Sequence, residues 1–189
     1  MKILFSFIFC FLISSVTSAG TYNYAEIGLG VSKLIDTSDD KEYVQLIDDV
    51  DPSAAFKLST GVRLGRSPNV WFDLTYLYES DKDIGVNKIN HHYLLTSIKF
   101  STDPRSDFSG FFKLGGGRVF FYATQQLDDT QGGGSVSITG KSLVYSASIG
   151  SSFRLNPKQS ITFEAQTLLG KNNKDSFNNF FTISLNQFL

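Results

Sequence analysis

Apolar and polar residues alternate along most of this chain, and a period of two limits it more than any other feature. In an extended segment such alternation sends every apolar side chain to one face, whereas a helix would need a period near 3.6. Eight runs show the habit: 22–35, 54–65, 70–80, 91–101, 111–123, 142–155, 160–169 and a last run reaching Leu189. In the first, Ala25, Ile27, Leu29 and Val31 alternate with Glu26, Gly28, Gly30 and Ser32. In the third, Val70, Phe72, Leu74, Tyr76 and Tyr78 oppose Trp71, Asp73, Thr75 and Glu79. The chain is therefore expected to be all-β, built from strands with two unlike faces.

Residues 1–19 stand apart from this pattern. Lys2 precedes an apolar run from Ile3 to Val16, and Thr17, Ser18 and Ala19 follow it. A short apolar run ending in small residues reads as a secretory signal cleaved after Ala19, leaving one domain over residues 20–189. Cys10, the only cysteine, lies in the leader, so the mature chain can form no disulfide. With two histidines and that single cysteine, the raw material for zinc sites or thiol catalysis is nearly absent. A net charge of -1 gives nucleic acid no electrostatic reason to bind. No cofactor is expected.

Connections between the runs alternate in length. Stretches of roughly 18, 10, 17 and 7 residues follow the first, third, fifth and seventh runs, a rhythm of long loops at one rim and short turns at the other. The second and sixth runs end in the tight turns Arg66-Ser67-Pro68-Asn69 and Asn156-Pro157-Lys158-Gln159. An up-and-down antiparallel barrel of eight strands satisfies this rhythm. It comes in two forms, a secreted lipocalin-like barrel with an apolar inside and a transmembrane barrel with an apolar outside.

Three observations favour the membrane form. The polar faces carry both signs, Glu26, Asp73, Glu79 and Glu164 against Lys57, Arg63, Lys99, Lys113 and Arg154, which can pair as a charge network in a narrow interior. Those faces are also rich in the Gly, Ser and Thr that a crowded lumen needs. Tyr76, Tyr78, Tyr122 and Tyr145 fall at one end of the strands and Phe100, Phe112, Phe153 and Phe163 at the other, as two aromatic girdles would. The fifth run breaks the pattern, since Lys113 and Arg118 fall on opposite faces of an unbroken strand. A bulge at Gly115, Gly116 and Gly117 is expected to reverse the phase and bring Arg118 to the polar face.

The leader, the eight runs, the first-strand segment Tyr24-Ala25-Glu26-Ile27-Gly28-Leu29-Gly30, the fifth-strand segment Phe112-Lys113-Leu114-Gly115-Gly116-Gly117 and the aromatic C-terminal strand together resemble the small outer-membrane β-barrels of the OmpA and OmpX/Ail types. The resemblance implies an eight-stranded transmembrane barrel in the cell outer membrane of a Gram-negative bacterium, with short periplasmic turns and longer extracellular loops. It implies a monomer surrounded by outer-membrane lipid and lipopolysaccharide, inserted by the barrel-assembly machinery. The ending Phe181-Thr182-Ile183-Ser184-Leu185-Asn186-Gln187-Phe188-Leu189 resembles the signal which that machinery reads, with Leu in the last place and Phe before it. No further domain of the peptidoglycan-binding kind is expected after it.

Candidate chemistry is sparse. Some similar barrels modify lipid A, and a PagP-like or PagL-like acyltransferase or deacylase needs a serine activated by a histidine and an acid. Ser80, Asp81, His91 and His92 are the only such set, at the outer mouth of the third and fourth strands, and the PagL-like His-x-Ser spacing is missing because Leu94 stands two places after His92. A narrow, low-conductance porin is the second alternative, opposed by the lumen charges. Asp39, Asp40, Asp48, Asp49 and Asp51 make the first long loop acidic, a weak cation site without EF-hand spacing or a contact for a basic host or phage surface protein. The main expectation is a non-enzymatic barrel, structural or making surface contacts through its loops.

Overall fold

A computed structural model describes residues 23–36, 52–65, 67, 69–84, 87–102, 106–127, 134–171 and 176–189. Eight strands follow one another: β1 Asn23–Asp36, β2 Ser53–Arg63, β3 Val70–Ile84, β4 Asn87–Ser101, β5 Phe108–Leu127, β6 Gly134–Asn156, β7 Gln159–Gly170 and β8 Ser176–Phe188. Each pairs antiparallel with the next, and β8 returns to β1, so the sheet closes into a barrel. The seam is completed by Leu189, whose amide donates to the Asn23 carbonyl at 2.9 Å.

Closure fixes the tilt. From Lys33 the paired residues run through Asn179, Thr167, Ala147, Leu114, Ile98, Phe72 and Val62, then reach Asn23 on the starting strand, ten residues from the origin. A stagger of this size makes the strands slope steeply and leaves a lumen that side chains can fill.

The polarity is that of a membrane barrel. Leu29 is 69% exposed and Ile149 67% on the outer wall, while Lys57, Asp73 and Glu79 are fully enclosed. A lipocalin-like barrel requires the opposite arrangement. Alternation persists because one face meets apolar surroundings and the other a packed polar interior, so a slip of one residue would invert the whole strand.

Two sequence expectations need correction. The fifth strand has no bulge: its pairing with β4 and β6 runs without a break through the three glycines. Arg118 therefore faces outward and is exposed, while Val119 points inward and is 8% exposed. The glycines serve close approach. A Cβ on Gly117 would stand 1.9 Å from the Leu94 carbonyl oxygen, and one on Gly115 would stand 2.1 Å from that of Thr96. Register shifts occur instead between Glu79 and Lys82 and between Arg154 and Asn156.

The long connections are also shorter than the alternation suggests. β3 continues to Ile84 and β4 begins at Asn87, and β5 continues to Leu127 before β6 begins at Gly134. Ladder hydrogen bonds extend a hairpin whatever its side chains, so alternation marks only the part of a strand whose two faces differ. At the opposite rim the turns are tight. Gly65, at φ 63°, supplies the left-handed residue after β2, and the Asn156 side chain accepts the Lys158 amide at 2.9 Å to form the turn before β7.

Candidate functional site

Inward positions on six strands place charged side chains at one level of the lumen. The Lys57 ammonium bonds Glu26 on β1 and Glu164 on β7, the latter at 2.5 Å. Lys113 lies 3.1 Å from Glu164 and 3.2 Å from Asp73. Asp73 also accepts the Tyr24 hydroxyl at 2.5 Å. The Lys99 ammonium stands 4.6 Å from the Tyr24 ring centre and 4.5 Å from that of Phe111. Three lysines thus share the level with three carboxylates, and the pairs β2–β7, β3–β5 and β5–β7 join strands that are not neighbours in the sheet. Each bond braces the barrel across its bore. Isolated charges would not tolerate such burial, but paired ones with further hydrogen bonds do. Arg63 and Arg154 are half-buried nearer the turn rim.

Leu77, Leu95, Val119, Val144, Leu168 and Phe180 form an apolar cluster, also inside the barrel. Phe180 is fully enclosed and meets Tyr93 edge-on at 5.4 Å between ring centres. Sequence reasoning missed this cluster because alternation was read as apolar outward. Leu77 and Leu95 share the odd-numbered, inward phase of Asp73, Glu79 and Lys99, and strict counting of phase along β3 and β4 would have placed them.

Glu79 occupies its own polar nest. Asn178 Nδ2 donates to its two carboxylate oxygens at 3.0 and 2.9 Å, Ser32 donates to Oε1, the Tyr93 hydroxyl lies at 3.4 Å and His91 Nδ1 stands 2.9 Å from Oε2. Every donor reaching this carboxylate stabilises its charge. The imidazole stands beside the carboxylate without a hydrogen bond to it, and the nearest hydroxyl, Ser32, is completely buried, out of reach of a substrate.

Among the described residues, Ser80, His91 and His92 do not come together. His91 points into the lumen toward Glu79, whereas His92 points out, where its Nδ1 is 2.7 Å from the Tyr76 hydroxyl and its ring packs 5.0 Å from Tyr78 and 5.4 Å from Tyr122. Ser80 follows Glu79 where the register shifts, and no hydrogen bond joins it to either histidine among the described residues. The Asp81 side chain lies outside the described set, as do Asp39, Asp40, Asp48, Asp49 and Asp51. Among the described residues no three His, Cys, Asp or Glu side chains gather as metal ligands would.

The outer wall carries aromatic groups at two levels. Tyr76, Tyr78 and Tyr122 surround His92 toward the loop rim. Toward the turn rim Phe100 stacks on Phe112 at 4.8 Å, and Phe153 meets Phe108 and Phe163. Between the levels the wall is aliphatic, with Ile27, Leu29, Leu114, Ile149 and Ile183 all more than half exposed.

No protein-family model matches the sequence, and no curated protein matches it. Solved structures do match. Neisserial surface protein A aligns at 12% identity and a TM-score of 0.63, covering 87% of this chain and 96% of that one. Ail, the attachment invasion locus protein of Yersinia pestis, solved with the heparin analogue sucrose octasulfate, aligns at 14% identity and a TM-score of 0.59, covering 89% and 99%. The N-terminal β-barrel domain of Pseudomonas aeruginosa OprF aligns at 13% identity and a TM-score of 0.51, covering 88% and 98%. The fold is that of the small outer-membrane β-barrels.

Proposed function

We propose that this protein is a non-enzymatic barrel of a bacterial outer membrane, anchored by its apolar wall and acting through the loops at one rim. The observation that carries the reading is the inverted polarity: large aliphatic and aromatic side chains cover the outside while five paired charges and Lys99 are sealed inside. Such a wall suits hydrocarbon and not water. The charge level and the apolar cluster fill the lumen, which supports a reading without a wide solute path. Lipid and lipopolysaccharide surround the wall, and the barrel-assembly machinery inserts it.

Contacts then fall to the loops. The first carries seven Asp and Glu residues between Asp36 and Asp51 against Lys41 alone, so its partner is a basic surface on a host or phage protein. That charge is opposite to what a polyanion such as the ligand in the Ail structure requires.

Cell fractionation tests the anchoring. The protein should enter the outer-membrane fraction and migrate faster on gels unheated than boiled; recovery as a soluble periplasmic monomer would overturn the reading. Deleting residues 37–51 in a strain that still inserts the barrel should abolish adhesion to basic surfaces, and unchanged adhesion would leave the protein a purely structural wall element.

A further inference from the structure

We infer that the lumen binds a halide-sized anion in a cavity between Lys99 and the turn rim. The site is separate from the loops through which the proposed function acts, and it depends only on how the inward side chains are placed.

The charge level leaves one lysine over. Its carboxylates are taken up by the other two, since Lys57 bonds Glu26 and Glu164 while Lys113 lies 3.2 Å from Asp73 and 3.1 Å from Glu164. Lys99 is 6% exposed, and among the described residues no carboxylate stands within ion-pair distance of its ammonium. What the ammonium does meet is two ring faces, Tyr24 at 4.6 Å and Phe111 at 4.5 Å. Rings offset part of the cost of enclosing a cation, and a negative charge is needed for the rest. The register adds to the demand. Lys99 pairs directly with Lys113, so two like charges arise from opposed positions and only one of them has its carboxylates.

A cavity of about 20 Å³ lies beside that ammonium. Lys99, Tyr24 and Phe111 line it with Arg154, Ser160 and Asn186, and among the described residues no Asp or Glu side chain does so. Ser160 is 3% exposed and Asn186 2%, yet Ser160 Oγ and Asn186 Oδ1 have no hydrogen-bond partner among the described residues. Buried polar groups are nearly always satisfied, so two such atoms on the wall of one cavity mark an occupant. Their placement follows from the ladder. Arg154 on β6 pairs with Ser160 on β7, and Ser160 pairs with Asn186 on β8, so three adjacent strands bring polar groups to one place while Lys99 reaches it from β4.

The walls select the ligand. Lysine and arginine without a carboxylate repel a metal ion. Water would satisfy the serine and bring no charge to Lys99. Phosphate and sulfate, each a tetrahedron of oxygens, exceed a cavity with room for one occupant about the size of a water molecule. A halide is a single atom, and it accepts from the Lys99 ammonium, from the Ser160 hydroxyl and from Asn186 once its amide turns Nδ2 inward. In the outer-membrane orientation the turn rim faces the periplasm, whose chloride fills the site.

Trp71 reports on occupancy, because it lines the same cavity, is the only tryptophan and, at 3% exposure, is shielded from collisions with solutes outside. Bromide quenches indole fluorescence on contact through its heavy nucleus. The full-length mature barrel in detergent micelles is titrated with sodium bromide, with sodium gluconate holding the ionic strength constant. Quenching should saturate, and added chloride should reverse it. Lys99→Met should weaken bromide binding about tenfold, and the milder Ser160→Ala about fivefold, whereas Arg118→Gln on the outer wall should leave it unchanged. Quenching that is absent or rises linearly with bromide overturns the site, as does wild-type saturation in Lys99→Met. Heat-modifiable mobility is read on every sample; if Lys99→Met does not fold, wild-type saturation in Ser160→Ala overturns the site by itself. A chain that binds bromide yet fractionates as a soluble protein keeps this site and loses the outer-membrane reading.

Discussion

Replacing Lys57 by Met tests the lumen most directly, because it nearly keeps the shape of the side chain while removing the charge and its hydrogen bonds to Glu26 and Glu164. Lys57 is fully enclosed, and so is Glu26, whose one ion-pair partner among the described residues is Lys57. Glu164 is better protected, since Lys113 lies 3.1 Å away. The variant therefore strands one carboxylate more than the other. Removing one partner of a buried pair costs about 3–5 kcal/mol, and the presence of Lys99 and Lys113 at the same level argues for the low end, about 3. Urea unfolding from lipid vesicles gives the measurement, with Trp71, the only tryptophan, as reporter: it is buried against Tyr24 at 5.5 Å between ring centres. The second substitution discriminates. Glu26→Gln in the Lys57→Met background removes the stranded charge and should recover about 1–2 kcal/mol, the coupling expected of contacting residues. Glu164→Gln in the same background should recover less, because Glu26 stays uncompensated and Lys113 loses one of its two carboxylates. A cost below about 1 kcal/mol for Lys57→Met, the size of an exposed pair, would refute the enclosed-network argument, as would equal recovery in the two double variants.

Gly117→Ala should destabilise the barrel by about 1–3 kcal/mol, because the new Cβ meets backbone of β4 at 1.9 Å, whereas Gly110→Ala, with its nearest atom 4.0 Å away, should be nearly neutral in the same unfolding assay. Planar-bilayer recordings should show no large, stable conductance from wild-type barrel, since the charge level and the Phe180 cluster block the bore; open channels would contradict both. Ser80→Ala and His91→Ala should leave the acyl pattern of lipid A identical to that of the unmodified strain, and a difference matched by deletion of the protein would restore the enzyme reading.

The strands and their inward charges were legible because one physical demand, two unlike environments on either side of a single layer, is written into every second residue. Glu26, Asp73, Lys99 and Lys113 are recognised by phase alone, since a charge among alternating apolar residues has one face open to it. Which carboxylate meets which lysine was not legible. Lys57 and Glu164 are separated by 107 positions and brought together by the stagger of the closed sheet, a property of all eight registers at once. Leu77 and Phe180 escaped for a related reason: an apolar side chain can face either environment, so only its phase relative to charged neighbours betrays it. The glycines of β5 misled because flexibility and small size leave the same mark in a sequence. Flexibility would have permitted a bulge; the 1.9 Å approach of the Leu94 carbonyl shows that size was the requirement.

That distinction bears on function through Arg118. A bulge would have hidden it in the lumen with the other cations, giving five inward lysines and arginines a sixth companion. The unbroken strand instead puts it on a wall that hydrocarbon would cover, close to the level where His92, Tyr78 and Tyr122 gather on β4, β3 and β5. A barrel needs no cation there for its own stability, since a positive charge facing lipid is at best neutral near the interface and costly deeper in. The wall thus carries an apolar middle that a bilayer would accept, and an outward arginine whose place is set by the unbroken register of β5 and not by the needs of the lumen.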